Sequence, residues 1–420
     1  VTGEETDTFS RSPTPVKLRI DALDPNSGSV QTLATASLPD SAIDLGSLGF
    51  DSVAVLQVYG LDSIGSTRVF GASLPIQYGA LDGTTLPLFV QRTGEFARMP
   101  APCDGGVCGL SDSRQSPVLS IVGGRFLFIG GGSDSANATS IQLYDFTTYA
   151  PQVGTPKLHR VPKSIAFIGT VAWLIDSAGA TQFDISNASW IDVAPPMGGT
   201  FAEVAGGSTV SAIDGSQFIV GATRLTDATD KVLALDPKGN SSWLTLSAKR
   251  AGAAASWVPA GLVVVGGSPS AAGVEIIRGG TVTGSPLPYP PDVSMGAGAA
   301  ALDPADVLVA GGLMADLTDA GVRAAALGCA TNCAFTPWSA LPVAISAAQA
   351  FPINAANAVV VGSELSGRSH LYRLTTTGAT EVATKVAHMN ARAVLSPFGP
   401  PGSLVLFGGA NMIESYTPPM

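Results

Sequence analysis

Four arginines recur at a similar place in the chain. Arg114, Arg160, Arg250 and Arg392 stand in SRQSP, HRVPK, KRAGA and ARAVL, where an apolar run is about to begin, with separations of 46, 90 and 142 residues. A guanidinium stays charged and presents a planar fork of donors. Repeated in this way, it either ties carboxylates and carbonyls together inside the protein or offers anions a site. Asp134, Asp176, Asp227, Asp230, Asp316, Asp319 and Glu364 lie in the loops that follow apolar runs. Two readings result: a seam, in which each arginine ties one unit to its neighbour, or a recognition face for a partner protein or an acidic glycan. Asp316 and Asp319, in DLTDAG, are also a weak Ca²⁺ candidate, because that ion takes six or more oxygens.

The other reactive residues point to no catalytic site. There are 3 histidines, His159, His370 and His388, and none belongs to an H-E-x-x-H or H-x-H pattern. His388, in the loop before the last apolar run, reads as a surface residue. Gly296 to Ala301, GAGAAA, matches a dinucleotide-binding pattern, but PPDVSM precedes it and LDPADV follows it, with no helix to hold a pyrophosphate. It reads as a strand of small residues instead. The 4 cysteines form two close pairs, Cys103 and Cys108 in CDGGVC and Cys329 and Cys333 in CATNC. Two local disulfides suit an exported protein, and a four-cysteine zinc site is the alternative. No metal and no cofactor is expected.

The elements that must position these residues are short strands. Of 420 residues, 49 are Gly, 30 are Pro and only 13% are charged, which favours many turns over long helices. No apolar run approaches the roughly 18 residues of a membrane-spanning helix. The net charge of −10, with no basic cluster, argues against nucleic-acid binding. Seven apolar segments begin at Phe126, Ala172, Phe218, Leu262, Val307, Ala358 and Leu404, spaced by 46, 46, 44, 45, 51 and 46 residues. Each has a short run before it and a third strand after it, such as SIQLYDF, KVLALD or HLYRLT. Most units add a fourth strand, with Trp190, Trp243 and Trp338 in three of them. Four antiparallel strands at this period predict the blades of a β-propeller.

The seventh unit stops at Met420 after three strands. TGEFARMPAP, 93–102, supplies the missing one, with Phe96 in the tryptophan position and Pro100 closing it. The expectation is an all-β fold: a seven-bladed propeller over 91–420, closed by an N-terminal strand at about 93–102. In such a ring CDGGVC joins a fourth strand to a first and CATNC joins a third to a fourth, so the pairs lie on opposite faces and cannot share one zinc.

The diglycines after apolar strands, the late tryptophans and the arginines before each unit resemble the kelch repeats of galactose-oxidase-like propellers, over roughly residues 93–420. The second unit departs from the pattern, with IDS in place of a diglycine, and the fourth and sixth lack the late Trp. The copper radical chemistry of galactose oxidase needs two His and two Tyr ligands and a Cys bonded to one Tyr. Here the cysteines are paired and no Tyr-His dipeptide occurs. The layout is also similar to bacterial surface proteins that carry kelch repeats.

Residues 1–14 read as an extended, mobile tail. In 15–90, VKLRIDAL, VQTLATASL, SVAVLQVYGLD, TRVFGASLPIQYG and TTLPLFVQ alternate with turns, as in a small immunoglobulin-like or fibronectin-like β-sandwich. A chain that opens at Val1 with no leader pattern fits a mature exported protein, at the cell surface, outside the cell or in the periplasm. The functional expectation is a non-enzymatic scaffold that uses propeller loops for protein–protein assembly. The alternatives are a carbohydrate-binding module, with rings such as Tyr289 as platforms, and an unrecognised enzyme that depends on Arg114 or Arg250. No nucleic acid and no transmembrane segment is expected.

Overall fold

LVVV, 262–265, has no polar face, and the computed structural model shows why. It describes all residues except 4, 40–42, 46–48, 50, 82–83, 102, 105–106, 133–137, 153, 222–227 and 268–272, and only the backbone of 103, 104, 107 and 108. LVVV lies in Gly261–Val265, the second strand of a four-stranded sheet with a neighbour on either side. Leu262 and Val264 pack with Val220 and Val232 of the preceding sheet, while Val263 and Val265 pack with Val307 and Val309 of the following one. Side chains alternate across a strand, so a strand covered on both faces is apolar throughout.

That arrangement repeats. Residues 96–420 form seven four-stranded antiparallel sheets, counted among the described residues. The first contains Val118–Val122, Phe126–Gly130, Gln142–Asp145 and Ala150–Pro151 in up-and-down order. The other first strands are Ser164–Ile168, Ser208–Ser211, Ala254–Val258, Gly298–Ala301, Ser346–Asn354 and Arg392–Leu395. Each first strand touches the next, and the last touches Val118–Val122, so the sheets close into a ring. The seven hydrophobic clusters of described residues each fill one gap between successive sheets. This all-β ring of repeated sheets is consistent with a propeller.

The last sheet is closed from the N-terminal side. Phe96–Arg98 pairs with Glu414–Tyr416, matching Tyr416 to Phe96 and Glu414 to Arg98. Phe96 is buried and its ring lies 5.5 Å from that of Tyr416. Pairing from the far end of the chain covers the edge that Glu414–Tyr416 would otherwise leave open.

The segment before it differs from the expected two-layer sandwich. Its described residues form one antiparallel sheet, in the order Val30–Ser37, Lys17–Leu23, Val53–Leu61, Thr67–Ala72 and Val90–Arg92, with Ile76–Gln77 beside the start of the third of these. One sheet suffices because the ring covers it. Tyr59, Phe70 and Phe89 pack with Tyr144, Phe146 and Tyr149 of the first sheet and with Phe398, Val405 and Phe407 of the seventh. The tail does not stand free either. The Val1 ammonium donates to Leu88 O at 2.6 Å, Arg98 Nε to Glu5 at 3.0 Å and Arg11 Nη2 to Glu95 at 2.7 Å. Arg92 donates to Thr8, Arg11 and Pro13 carbonyls. The expectation of a free tail overlooked these partners, which lie 79 to 93 residues away.

Candidate functional site

Arg114, Arg160 and Arg250 each stand four residues ahead of a first strand. There the second strand has just ended and turns back, in two units through a diglycine. Gly266 and Gly267 have φ of 73° and 85°, and a Cβ on Gly267 would meet Ala253 N at 2.8 Å. Only glycine admits that approach at positive φ. It brings Gly266 O to Arg250 Nη1 at 2.6 Å, while Arg250 Nε donates to Glu275 Oε1 at 2.9 Å. Glu275 Oε2 accepts from Ser247 N–H at 2.8 Å, and neither Arg250 nor Glu275 is exposed. Burial pulls the Arg250 guanidinium below its ordinary value, against the opposing pull of Glu275 and Asp292. Arg114 repeats the pattern: Nε and Nη2 take both oxygens of Asp112 at 2.9 and 2.6 Å, and Nη1 donates to Gly131 O at 3.2 Å.

The Arg114 tie runs within one sheet. Arg250, the last residue of Ser241–Arg250 in the third sheet, instead reaches Glu275 on the third strand of the fourth sheet, so that tie crosses the seam, as expected from the sequence. Both ties remove Arg114 and Arg250 from any surface where a ligand or substrate could meet them. Arg160 keeps a fifth of its side-chain surface, with Thr181 Oγ1 at 2.6 Å, Asp176 at 3.0 Å and Asp192 at 3.2 Å. Together with Asp192, Thr200 and Phe201 it lines a cavity of about 520 Å³ between the second and third sheets.

Two members of this set escape sequence reasoning. In the fifth sheet the cation sits on the third strand. Arg323 Nε donates to Asp292 at 2.7 Å, Nη2 to Ser294 Oγ at 2.7 Å and Nη1 to Gly321 O at 3.1 Å. In the seventh sheet the position is held by His388, four residues ahead of Arg392 and 1% exposed, so it is not a surface residue. His388 Nδ1 donates to Gly408 O at 2.8 Å, and Nε2 lies 3.4 Å from Glu414 Oε2. The spacing held the signal: Arg250 to His388 is 138 residues, three repeats of 46, whereas 142 overshoots.

Arg392 consequently belongs to a different place, the first residue of an innermost strand. Its Nη1 donates to Ala347 O at 3.4 Å and Ala391 O at 3.2 Å, and no carboxylate of the described residues pairs with it. Burial lowers its guanidinium below the ordinary value. At the opposite end of the innermost strands a cavity of about 430 Å³ is lined by Thr209, Ser211, Ala255, Trp257, Ala299 and Ala301. Trp257 stacks on Phe218 at 5.3 Å. GAGAAA is accounted for here, since Gly298–Ala301 is the first strand of the fifth sheet.

The remaining candidates are dispersed. Asp134 and Asp227 lie outside the described residues. Asp316 Oδ1 accepts the Thr318 hydroxyl at 2.6 Å and its N–H at 3.1 Å, and these bonds hold its carboxyl below the usual range. Asp319, in the same loop, is pushed up by burial, and its Oδ1 has no hydrogen-bond partner. Among the described residues no group of three His, Cys, Asp or Glu is placed to hold a metal. Cys329 and Cys333 form a disulfide, which takes two sulfurs from the zinc alternative. Cys103 and Cys108 face each other in a two-stranded ladder, and their side chains lie outside the described residues. Tyr289 is buried and its hydroxyl donates to Ala326 O at 2.8 Å, so it offers no ring to a sugar. His370, on the third strand of the sixth sheet, is buried with Nδ1 2.7 Å from Glu381, whereas His159 is exposed and stacks on Trp190 at 4.5 Å.

No known protein family matches the chain, and no curated protein does. Among solved structures it is similar to that of YjhT, at 14% identity and a TM-score of 0.43, over 66% of this chain and 97% of that one. The streptogramin B lyase structure is similar at 11% identity and a TM-score of 0.41, over 73% of this chain and 95% of that one. At these values neither likeness carries an argument about function.

Proposed function

We propose that the chain is an exported, seven-bladed, kelch-type propeller whose work is non-enzymatic binding: a scaffold for protein–protein assembly at the cell surface or outside the cell. The observation that carries this reading is the contrast between the inside of the sheets and one loop face. The buried cations Arg114, Arg250 and Arg323 are spent on internal ties. On the face where the 2–3 and 4–1 loops lie, large apolar side chains project outward instead: Met197 is 99% exposed, Leu317 56% and Leu365 66%. Leu317 and Leu365 cap the 2–3 loops of adjacent sheets. Apolar groups held in water on neighbouring loops suit burial by a partner surface. The diglycines and late tryptophans support the kelch reading, and the Cys329–Cys333 disulfide supports export.

The test is gentle purification from the native source, with mass and composition read by light scattering and proteomics, alongside the L317D/L365D variant. Partners at a fixed ratio that are lost from the variant support the reading. A monomer without partners overturns it, and selective binding on a glycan array would move the assignment to carbohydrate recognition.

A further inference from the structure

The seven innermost strands read VLSIV, SIAFI, STVS, AASWV, GAAA, SAAQAFPIN and RAVL, and Arg392 is the only charged residue in them. These strands surround the axis of the ring, so one cation stands among small, uncharged neighbours. Its contacts are one-sided. Both bonds to protein leave from Nη1, to the carbonyls of Ala347 and Ala391. The Nε–H and both Nη2 hydrogens have no acceptor among the described residues, and neither nitrogen is sealed from solvent. Arg114 and Arg250, by contrast, use the same edge on Asp112 and Glu275.

The edge formed by Nε and Nη2 is the one that grips a planar oxyanion through two parallel hydrogen bonds. A half-buried guanidinium keeps its charge but is screened less by water than an exposed one. The groups around it are fixed, as a preformed site requires. Gln349 holds Ala393 N and O with its amide at 2.8 and 2.9 Å, and Ala348 N–H donates to Gly296 O at 2.8 Å. We propose that Arg392 is an anion-binding site at the axis of the ring, which takes the carboxylate of a ligand whose remainder lies against the small side chains of the innermost strands. The site is separate from the loop-face contacts of the scaffold reading and does not depend on them.

The experiment uses the full chain labelled with ¹⁵N-arginine. Nε–H signals are followed while sodium acetate replaces sodium chloride at constant ionic strength, with sodium sulfate as the second probe. The Arg392 signal is the one missing from Arg392→Gln, or from Arg392→Lys should the glutamine variant not fold. A saturable acetate shift confined to that signal is expected. Acetate should also raise the thermal midpoint, and Arg392→Gln should need at least about tenfold more of it, the effect of losing charge-assisted hydrogen bonds. Arg278→Gln, at an exposed position, should respond as the parent does. Equal, non-saturating shifts of all arginines, or an unchanged response in Arg392→Gln, overturn the site. Saturation by sulfate but not acetate overturns the carboxylate assignment.

Discussion

Replacing Arg250 by Met tests whether the buried ties hold the sheets together. The methionine fills similar space but strands Glu275, which has no exposed surface and, among the described residues, keeps only the Ser247 N–H beside it. Gly266 O also loses its 2.6 Å donor. Breaking a buried pair from one side costs about 3–5 kcal/mol, because a charge is left without compensation. At a urea dependence of about 3 kcal/mol per M, the unfolding midpoint should fall by at least about 1 M. Arg250→Met/Glu275→Leu removes both charges and should recover part of that loss, retaining a deficit of about 1–3 kcal/mol for the stranded Gly266 O and Ser247 N–H. Arg160→Met is the control. Its partners Asp176 and Asp192 are 17% and 75% exposed, and such partly solvated pairs contribute about 1 kcal/mol or less each, so the loss should stay below that of Arg250→Met. Urea unfolding followed by tryptophan fluorescence measures all three. A loss below about 1 kcal/mol in Arg250→Met, or a double variant less stable than the single one, would refute the reasoning.

Phe96→Ala should destabilise by about 3–5 kcal/mol and promote aggregation, since it hollows the closing strand; scattering during thermal unfolding reports both. Replacing Cys329 and Cys333 by Ser should cost no more than about 2 kcal/mol in a urea titration, because the bridge spans only 4 positions of sequence. Burial alone would raise Asp145, but hydrogen bonds from Arg125 and Thr147 outweigh it and hold its carboxyl below 3.8. A depressed carboxyl stabilises fully above the ordinary range and loses that contribution as pH falls through the folded value. The stability gap between parent and Arg125→Gln should therefore be constant from pH 7 to 5 and close below about pH 4. Asp319 has the opposite sign: burial raises it, so its charged form is a cost at neutral pH. Asp319→Asn should raise the thermal midpoint at pH 7, with or without calcium, and leave it unchanged at pH 3. A calcium-dependent gain seen only in the parent would revive the ion site.

The legible parts of the fold share a local cause. Apolar runs such as LVVV, the positive-φ glycines that end them and the period near 46 residues are consequences of one unit packing between two copies of itself. The closing strand was readable because Phe96 falls where other units place tryptophan, and it pairs as expected. The arginines were readable as a repeat but not as a site. Sequence shows that a cation stands before a strand, yet not whether a carboxylate meets it from Asp112, two residues away, or Glu275, 25 residues away. His388 was overlooked because its residue type differs, although its position in the repeat is that of Arg250.

The sequence by itself determined the β class, the repeated unit, the place of ring closure and the Cys329–Cys333 pair. Each depends on side-chain alternation, backbone conformation or spacing along the chain. Only the tertiary structure decided that the described strands between residues 17 and 92 form one sheet covered by the ring, that Arg114 and Arg250 are sealed inside it, and that Arg392 stands with one edge open at its axis. Those outcomes turn on which distant groups fill the space around a side chain, and burial and pairing are properties of that surrounding space.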